Sequence, residues 1–379
     1  MNINSLPTPA LLLDLDILER NLQTMQERAN KLHVSLRPHI KTHKSIEIAK
    51  RQVELGAKGI TVSTFYEAEQ FAAAGFKDIT WAFPIPPVYA VKAAELAEKI
   101  TFRVVIDSPE AKGHLDKVAR INGSKLHVWL KVDCGLHRAG VEPGSKTAED
   151  LARSLTESKV LIFDGILTHA GHSYSARSRN QIIEIAEQER SVMVEFAERM
   201  RKQGVKIPAI SIGSTPTMTL ARNLDGINEI RPGNYVFHDY TQVLLDVCGV
   251  ADCALTVLSS VISHQPNASH FITDAGALAL SKDLGPRHIR NDMGMGTIYE
   301  DYGRKRLFAH MQLQILSLSQ EHGKVAAEKG LNLEGRFQVG DRVQILEHHS
   351  CLTAAMFDRY YVVRGDDVVD EWKILRGRV

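Results

Sequence analysis

Between residues 34 and 236, short runs of β-branched and aromatic residues alternate with stretches whose apolar positions recur at helical spacing. Eight runs read as strands: VSLRPHIK (34 to 41), GITVST (59 to 64), DITWAF (78 to 83), TFRVVID (101 to 107), HVWLKVD (127 to 133), FDGILTH (163 to 169), AISIGS (209 to 214) and EIRPGNYV (229 to 236). Strands alternating with helices imply right-handed crossovers and a parallel sheet, and eight such units in about two hundred residues are the size of a (β/α)8 barrel. An open doubly wound sheet is the structural competitor. Two helices are well signalled: STFYEAEQFAAAG, with a Ser/Thr start and a stop at Gly75, and RNQIIEIAEQERSVMVEFAERMRKQG, amphipathic to Gly204. Beyond residue 240 the pattern turns to strand-like pieces: ALTVLSSVISHQ, SHFITDAG, RFQVGDRVQILEHHSC and a hairpin in RYYVVRGDDVVDEWKI. The expected organisation is an N-terminal strand (1–20, TPALLLDLD) that could join either domain, an α/β barrel (21–240) and a β-rich domain (241–379).

Composition narrows the function classes. In 379 residues, 44% are apolar and 24% charged, which excludes a disordered or fibrous chain. The 46 Lys and Arg balance 45 Asp and Glu, a net of +1, so no global field draws nucleic acid or membrane and a small molecule is the expected partner. The first residues lack the basic and apolar regions of a secretory leader, and no run of eighteen apolar residues occurs, so the expected location is cytoplasmic. The four cysteines form no CxxC pair and read as buried thiols or ligands. Histidine is in surplus, at 16.

In a barrel of this kind chemistry sits at the C-terminal ends of the strands. Polar residues concentrate there: His39 and Lys41 in the first run, Asp133, His137 and Arg138 after the fifth, His169, His172 and Tyr174 after the sixth, Ser214 and Thr215 after the seventh, and Arg231, Gly233 and Tyr235 in the eighth. Lys41 alone would be a solvated strand end. Within RPHIKTHK, crowded cations disfavour one another's charged forms, which suits a nucleophilic amine. GSTPT (213 to 217) and the Gly233–Asn234 pair lie where barrels commonly hold phosphate, so lysine and cradle together suggest pyridoxal phosphate. In EHHSC, His349 and Cys351 at i and i+2 on a strand would share a face, and imidazole with thiolate suits Zn²⁺; a buried thiol beside a satisfied histidine is the plain alternative.

Taken in order, TPALLLDLD, RPHIKTHK, GITVSTFYEAE, DCGLHRAGV, LTHAGHSY, GSTPT, EIRPGNYVFHD and HHSCLTA span nearly the whole chain and resemble the D-serine dehydratase and D-threonine aldolase family of alanine-racemase-like, fold type III pyridoxal phosphate enzymes. The resemblance implies an N-terminal barrel, a C-terminal β domain, a homodimer, pyridoxal phosphate and a divalent metal, Zn²⁺ first, with Mn²⁺ and Mg²⁺ as alternatives. Position by position, Lys41 is similar to the lysine that bonds the cofactor's aldehyde, Arg138 to the arginine at its phenolic oxygen, His169 to the imidazole stacked on its ring and Tyr174 to the tyrosine beside the lysine. Ser214, Thr215, Gly233 and Asn234 fit the phosphate cradle, with Arg231 and Tyr235 on the same side. His349 and Cys351 match the H-x-C metal pair of the dehydratases, whereas the aldolase branch resembles H-x-D.

The activity the resemblance implies is a lyase that converts D-serine to pyruvate and ammonia, with D-threo-3-hydroxyaspartate dehydratase and D-threonine aldolase as near alternatives and a non-catalytic pyridoxal phosphate-binding protein as the reading from another class. Residue 348 is His where the family often has Asn: an extra ligand, an acid/base group or a solvated position. His172 is either a proton relay or a loop residue that holds Tyr174. The cationic PRHIR segment (286 to 290) is either solvated or the receptor of a second substrate carboxylate.

Overall fold

The computed structural model describes residues 1–299, 313–327, 333 and 335–377. Among the described residues seventeen strands form two sheets. In chain order they are β1 (Ala10–Asp14), β2 (Ser35–Leu36), β3 (Ile60–Val62), β4 (Asp78–Pro84), β5 (Thr101–Ile106), β6 (Leu126–Lys131), β7 (Leu161–Leu167), β8 (Ile210–Ile212), β9 (Glu229–Ile230), β10 (Leu255–Ser263), β11 (His270–Thr273), β12 (Thr297–Tyr299), β13 (Leu313–Leu318), β14 (Gly323–Ala327), β15 (Arg342–Leu346), β16 (Arg359–Arg364) and β17 (Asp367–Lys373).

The described residues divide into two compact units, one of residues 24–233 with 377, the other of residues 1–23 with those described between 234 and 376. The first holds all eight predicted barrel strands, parallel, in the order β2-β9-β8-β7-β6-β5-β4-β3. Its outer strands meet where β2 continues: His39 bridges Thr61, and the Thr61 N–H donates to the Pro38 carbonyl at 2.9 Å. Strands such as β6 are buried along almost their whole length, as a sheet covered by helices requires. The two signalled helices form at Phe65–Ala73 and Arg179–Lys202. Thr64 caps the first through a capping box with Glu67, and Ser178 caps the second.

The barrel interior carries an ionic chain toward the N-terminal ends of its strands. Arg37 bonds Asp78 and, at 2.6 Å, Glu229; Asp78 also bonds Arg103, which reaches Asp164 at 2.5 Å, and Asp164 meets His127 Nδ1 at 2.9 Å. Against the cost of burial, Glu229 and Asp78 hold the Arg37 guanidinium above its ordinary value.

In the second unit β10, β11, β14, β13, β12 and β15 pair in a closed ring, and β1, β16 and β17 extend it from β10. TPALLLDLD therefore forms β1, antiparallel to β10 and parallel to β16. The C-terminal hairpin turns at Gly365–Asp366 between β16 and β17. Among the described residues no helix is long and apolar enough to cross a membrane.

Candidate active site

Two predicted strands stop short of their polar residues. β2 ends at Leu36 and β9 at Ile230, because Pro38 and Pro232 have no N–H to continue a ladder. Lys41 accordingly stands on a 3-10 turn, Ile40–Thr42, capped by His39, rather than on an alternating strand. His39 and Lys41 are neighbours for that reason: the Lys41 N–H donates to His39 Nδ1 at 3.4 Å.

Lys41 is exposed at the C-terminal end of the barrel and has no ion pair among the described residues, whereas Lys44 is bound to the buried Glu67. Around Lys41 the ring groups are kept neutral. Burial, then the Lys41 charge, pushes His39 well below its ordinary value, and the same two causes act on His169. His169 Nδ1 donates to the Gly213 carbonyl at 3.0 Å, which fixes the ring. Arg231 is buried; its Nε donates to Ser211 Oγ at 2.8 Å and its terminal nitrogen to the Thr168 carbonyl. Burial draws it down to about 10.

His43 belongs to the core instead. It is fully buried, with Nδ1 accepting from the Ser45 N–H at 3.1 Å, and burial pushes it to about 3. The unfolded chain protonates this ring near its ordinary value of about 6.5. Between there and about 3 the unfolded state thus binds one proton more, and stability falls as pH falls. From pH 7 to 5 this amounts to about 2 kcal/mol. Denaturation midpoints should therefore drop less between those pH values in His43→Gln than in the unmodified chain; equal drops would show that this ring is not responsible.

Sequence reasoning missed two buried charges. Lys131, the last residue of β6, is 5% exposed; burial, then Arg231 and Arg138, lowers it to about 8. Glu189, inside the helix Arg179–Lys202, accepts from the N–H groups of Ala170 and Gly213 at 2.9 and 3.0 Å and from Thr217 Oγ1 at 3.0 Å, so it fixes the loops after β7 and β8. Lys131 lay in a strand pattern and Glu189 among the many charges of a helix read as amphipathic, so neither gave a signal.

The predicted cradle is reached in part. Ser214 caps the short helix Thr215–Leu220 and its hydroxyl is shared with Thr217 and Ser173. Gly233 must be glycine, since a Cβ would lie 2.8 Å from the His39 carbonyl. Asn234 and Tyr235 fall in the second unit, on the turn Asn234–Val236, where the Asn234 amide donates to Asp239 at 2.7 Å and Ser350 at 2.8 Å. Tyr235 is buried. Tyr174 and His172 share the 3-10 segment Gly171–Ser175 after β7. Neither ring nitrogen of His172 has a partner among the described residues. Arg138 is exposed on the loop after β6, which Asp133 fixes by accepting from the Gly135 and His137 N–H groups.

The cationic groups Lys41, Lys131, Arg138 and Arg231 at one barrel end, with neutral imidazoles between them, suit an anionic aromatic ligand. Pyridoxal phosphate fits that description.

The predicted metal pair is built differently from the strand expected. β15 ends at Leu346; His349 caps the helix Ser350–Met356, and Cys351 lies in its first turn. SCLTAAM is rich in helix formers, so the chain turns helical before the i, i+2 alternation can apply. The two side chains still meet. His349 Nδ1 lies 2.8 Å from Asp283 Oδ2, and the ring also bonds the Cys351 thiol; against the cost of burial, Asp283 and Cys351 hold the imidazolium up to about 11. An imidazole and a sulfur are donors that suit Zn²⁺. Asp239 anchors the turn, accepting from the Ser350 N–H at 3.1 Å and from Asn234. His348 is 2% exposed, not solvated, and burial lowers it to about 4. A second acid/His group, Asp133, His137 and Glu142, is largely exposed.

Asp283 fixes the His349 ring, and such partners typically govern metal affinity by about 10–100-fold. Asp283→Asn should weaken metal retention by about that factor in a competition with a chelator; unchanged retention would remove Asp283 from the site.

The family described as "Alanine racemase, N-terminal domain" matches residues 13–241, and "Putative serine dehydratase domain" matches residues 254–363. The chain belongs to the D-serine dehydratase and D-threonine aldolase family. It is a pyridoxal phosphate-dependent lyase of the alanine-racemase-like fold. D-threo-3-hydroxyaspartate dehydratase of Delftia sp. strain HT23 is 37% identical over 98% of both chains, and its solved structure superposes with a TM-score of 0.94 over 99% of both. D-serine dehydratase of Dictyostelium discoideum is 36% identical over 97% of this chain and 96% of that one. A cysteine-to-alanine mutant of D-threo-3-hydroxyaspartate dehydratase, solved in a metal-free form, superposes with a TM-score of 0.93 at 36% identity, covering all of both chains.

Proposed function

We propose that this lyase is a metal-assisted dehydratase of D-3-hydroxy amino acids, with D-serine as the leading substrate and pyruvate and ammonia as products. The observation that carries it is the His349–Cys351 pair held by Asp283. When bound, pyridoxal phosphate supplies an electron sink at the substrate's α carbon, and a divalent cation, Zn²⁺ by donor type, supplies Lewis acidity at its β-hydroxyl. The chain's residues do the remainder. Lys41 holds the cofactor's aldehyde end and takes the α proton. Gly233, Ser214 and Thr215 bind the phosphate with Arg231 on the same side, Arg138 pairs with the ring's phenolic oxygen, His169 packs on its face and Tyr174 orients Lys41. His172 has both ring nitrogens free among the described residues to pass a proton toward the departing hydroxyl. His349 and Cys351 hold the metal. The proposal extends to a cytoplasmic homodimer.

A second reading, D-threo-3-hydroxyaspartate as substrate, has its own support. The PRHIR segment follows directly from Asp283–Gly285, and Gly285 packs so closely on His348 that a Cβ would lie 2.6 Å from its Nδ1, so these cations leave the metal pair's own loop. The relatives do not rank the two, at 37% and 36% identity. Incubation with D-serine, D-threo-3-hydroxyaspartate and D-threonine should yield keto acid and ammonia from at least one of the first two. Glycine and an aldehyde from all active substrates would make the protein an aldolase.

A further inference from the structure

The opposite end of the barrel has a groove that the lyase reaction does not use. It is lined at the N-terminal ends of β4, β5, β6 and β7 by Lys77, Lys99, Lys125, Ser124, Thr101 and His127, with a volume of about 520 Å³. An adjoining cavity of about 290 Å³ shares Lys125 and adds Lys159 and Lys206. Five lysines therefore line one continuous surface on a chain whose net charge is only +1. None of the five has an ion-pair partner among the described residues.

The reason they stay uncompensated lies inside the barrel. The barrel carboxylates Asp78 and Asp164 are already taken by Arg37, Arg103 and His127. Glu98 is the one carboxylate in the lining of the two cavities. Clustered like charges repel, and the field is focused where a concave wall excludes water. The lining also includes a buried polar group without a partner. Ser124 is 9% exposed, and its hydroxyl has no partner among the described residues. His127 is anchored through Nδ1 to Asp164, which leaves the far side of its ring for a ligand.

We propose that this groove binds a small, multiply charged anion, a phosphorylated or polycarboxylate metabolite, at a site separate from the catalytic end of the barrel. Nucleic acid is disfavoured because the first cavity offers no Phe, Tyr or Trp and the second only the buried Phe163, so a base has no exposed ring on which to stack. The proposal does not depend on which amino acid the enzyme dehydrates.

The test uses the cofactor-loaded enzyme, so that the phosphate cradle at the catalytic end is already filled. Calorimetric titration at low salt with fructose 1,6-bisphosphate and with tricarballylate should reveal one saturable site per chain for at least one of them, and the tighter probe identifies phosphate or carboxylate as the natural chemistry. Affinity should fall about tenfold for each lysine removed in Lys99→Ala and Lys125→Ala, and with added salt, while turnover without the anion stays unchanged. A Lys125→Glu variant should abolish binding. Absence of saturable binding of either probe, binding that survives the Lys99→Ala and Lys125→Ala double substitution, or tight binding of an oligonucleotide with none of the small anions would overturn it.

Discussion

Replacing Lys41 by alanine should lower turnover of every substrate by about 1,000-fold or more, the loss expected when the group that moves the α proton is removed. It should also stop borohydride from fixing the cofactor to the protein. The structure separates this lysine from its neighbours. Lys44 is committed to Glu67 and Lys131 is buried at 5% exposure, whereas Lys41 is exposed on a capped turn without an ion pair among the described residues. The neutral His39 and His169 beside it can accept or relay a proton but add no charge. Lys41→Arg should not rescue activity, because a guanidinium does not give up its proton. Fixation that persists in Lys41→Ala and is lost in Lys131→Ala would assign the cofactor to the other lysine.

Cys351→Ala should leave cofactor binding intact and strip the metal, from one per chain to almost none. Keto acid formation should fall by about 100-fold or more, since a Lewis acid contributes several kcal/mol to departure of a poor leaving group. Exchange of the α proton with solvent deuterium should continue, because Lys41 is untouched. That split distinguishes a role in breaking the C–O bond from a general loss of structure. Unchanged keto acid formation would instead show that the C–O bond breaks without a metal held by Cys351.

Much of this was legible because parallel strands buried on both faces leave continuous apolar runs, and all eight barrel runs correspond to strands of the sheet. Their ends were less legible. The runs at 34–41 and 229–236 overshoot because prolines inside them end the ladder while apolar residues continue. His349 and Cys351 were expected to share a strand face, but they come together at a helix N-terminus, not through strand alternation. Asp283 lies 66 residues from His349 in the chain, and only the fold brings them together. The ionic chain of Arg37, Asp78, Arg103, Asp164 and Glu229 draws on residues far apart in the chain, and only the closed sheet brings them together.

The most direct test of the central claim, that metal held by His349 and Cys351 drives dehydration, is keto acid formation from D-serine or D-threo-3-hydroxyaspartate before and after chelation of the cofactor-loaded enzyme. The expected result is a loss of about 100-fold, restored by one equivalent of divalent metal per chain and not restored in Cys351→Ala. Full turnover by the metal-free protein would contradict it.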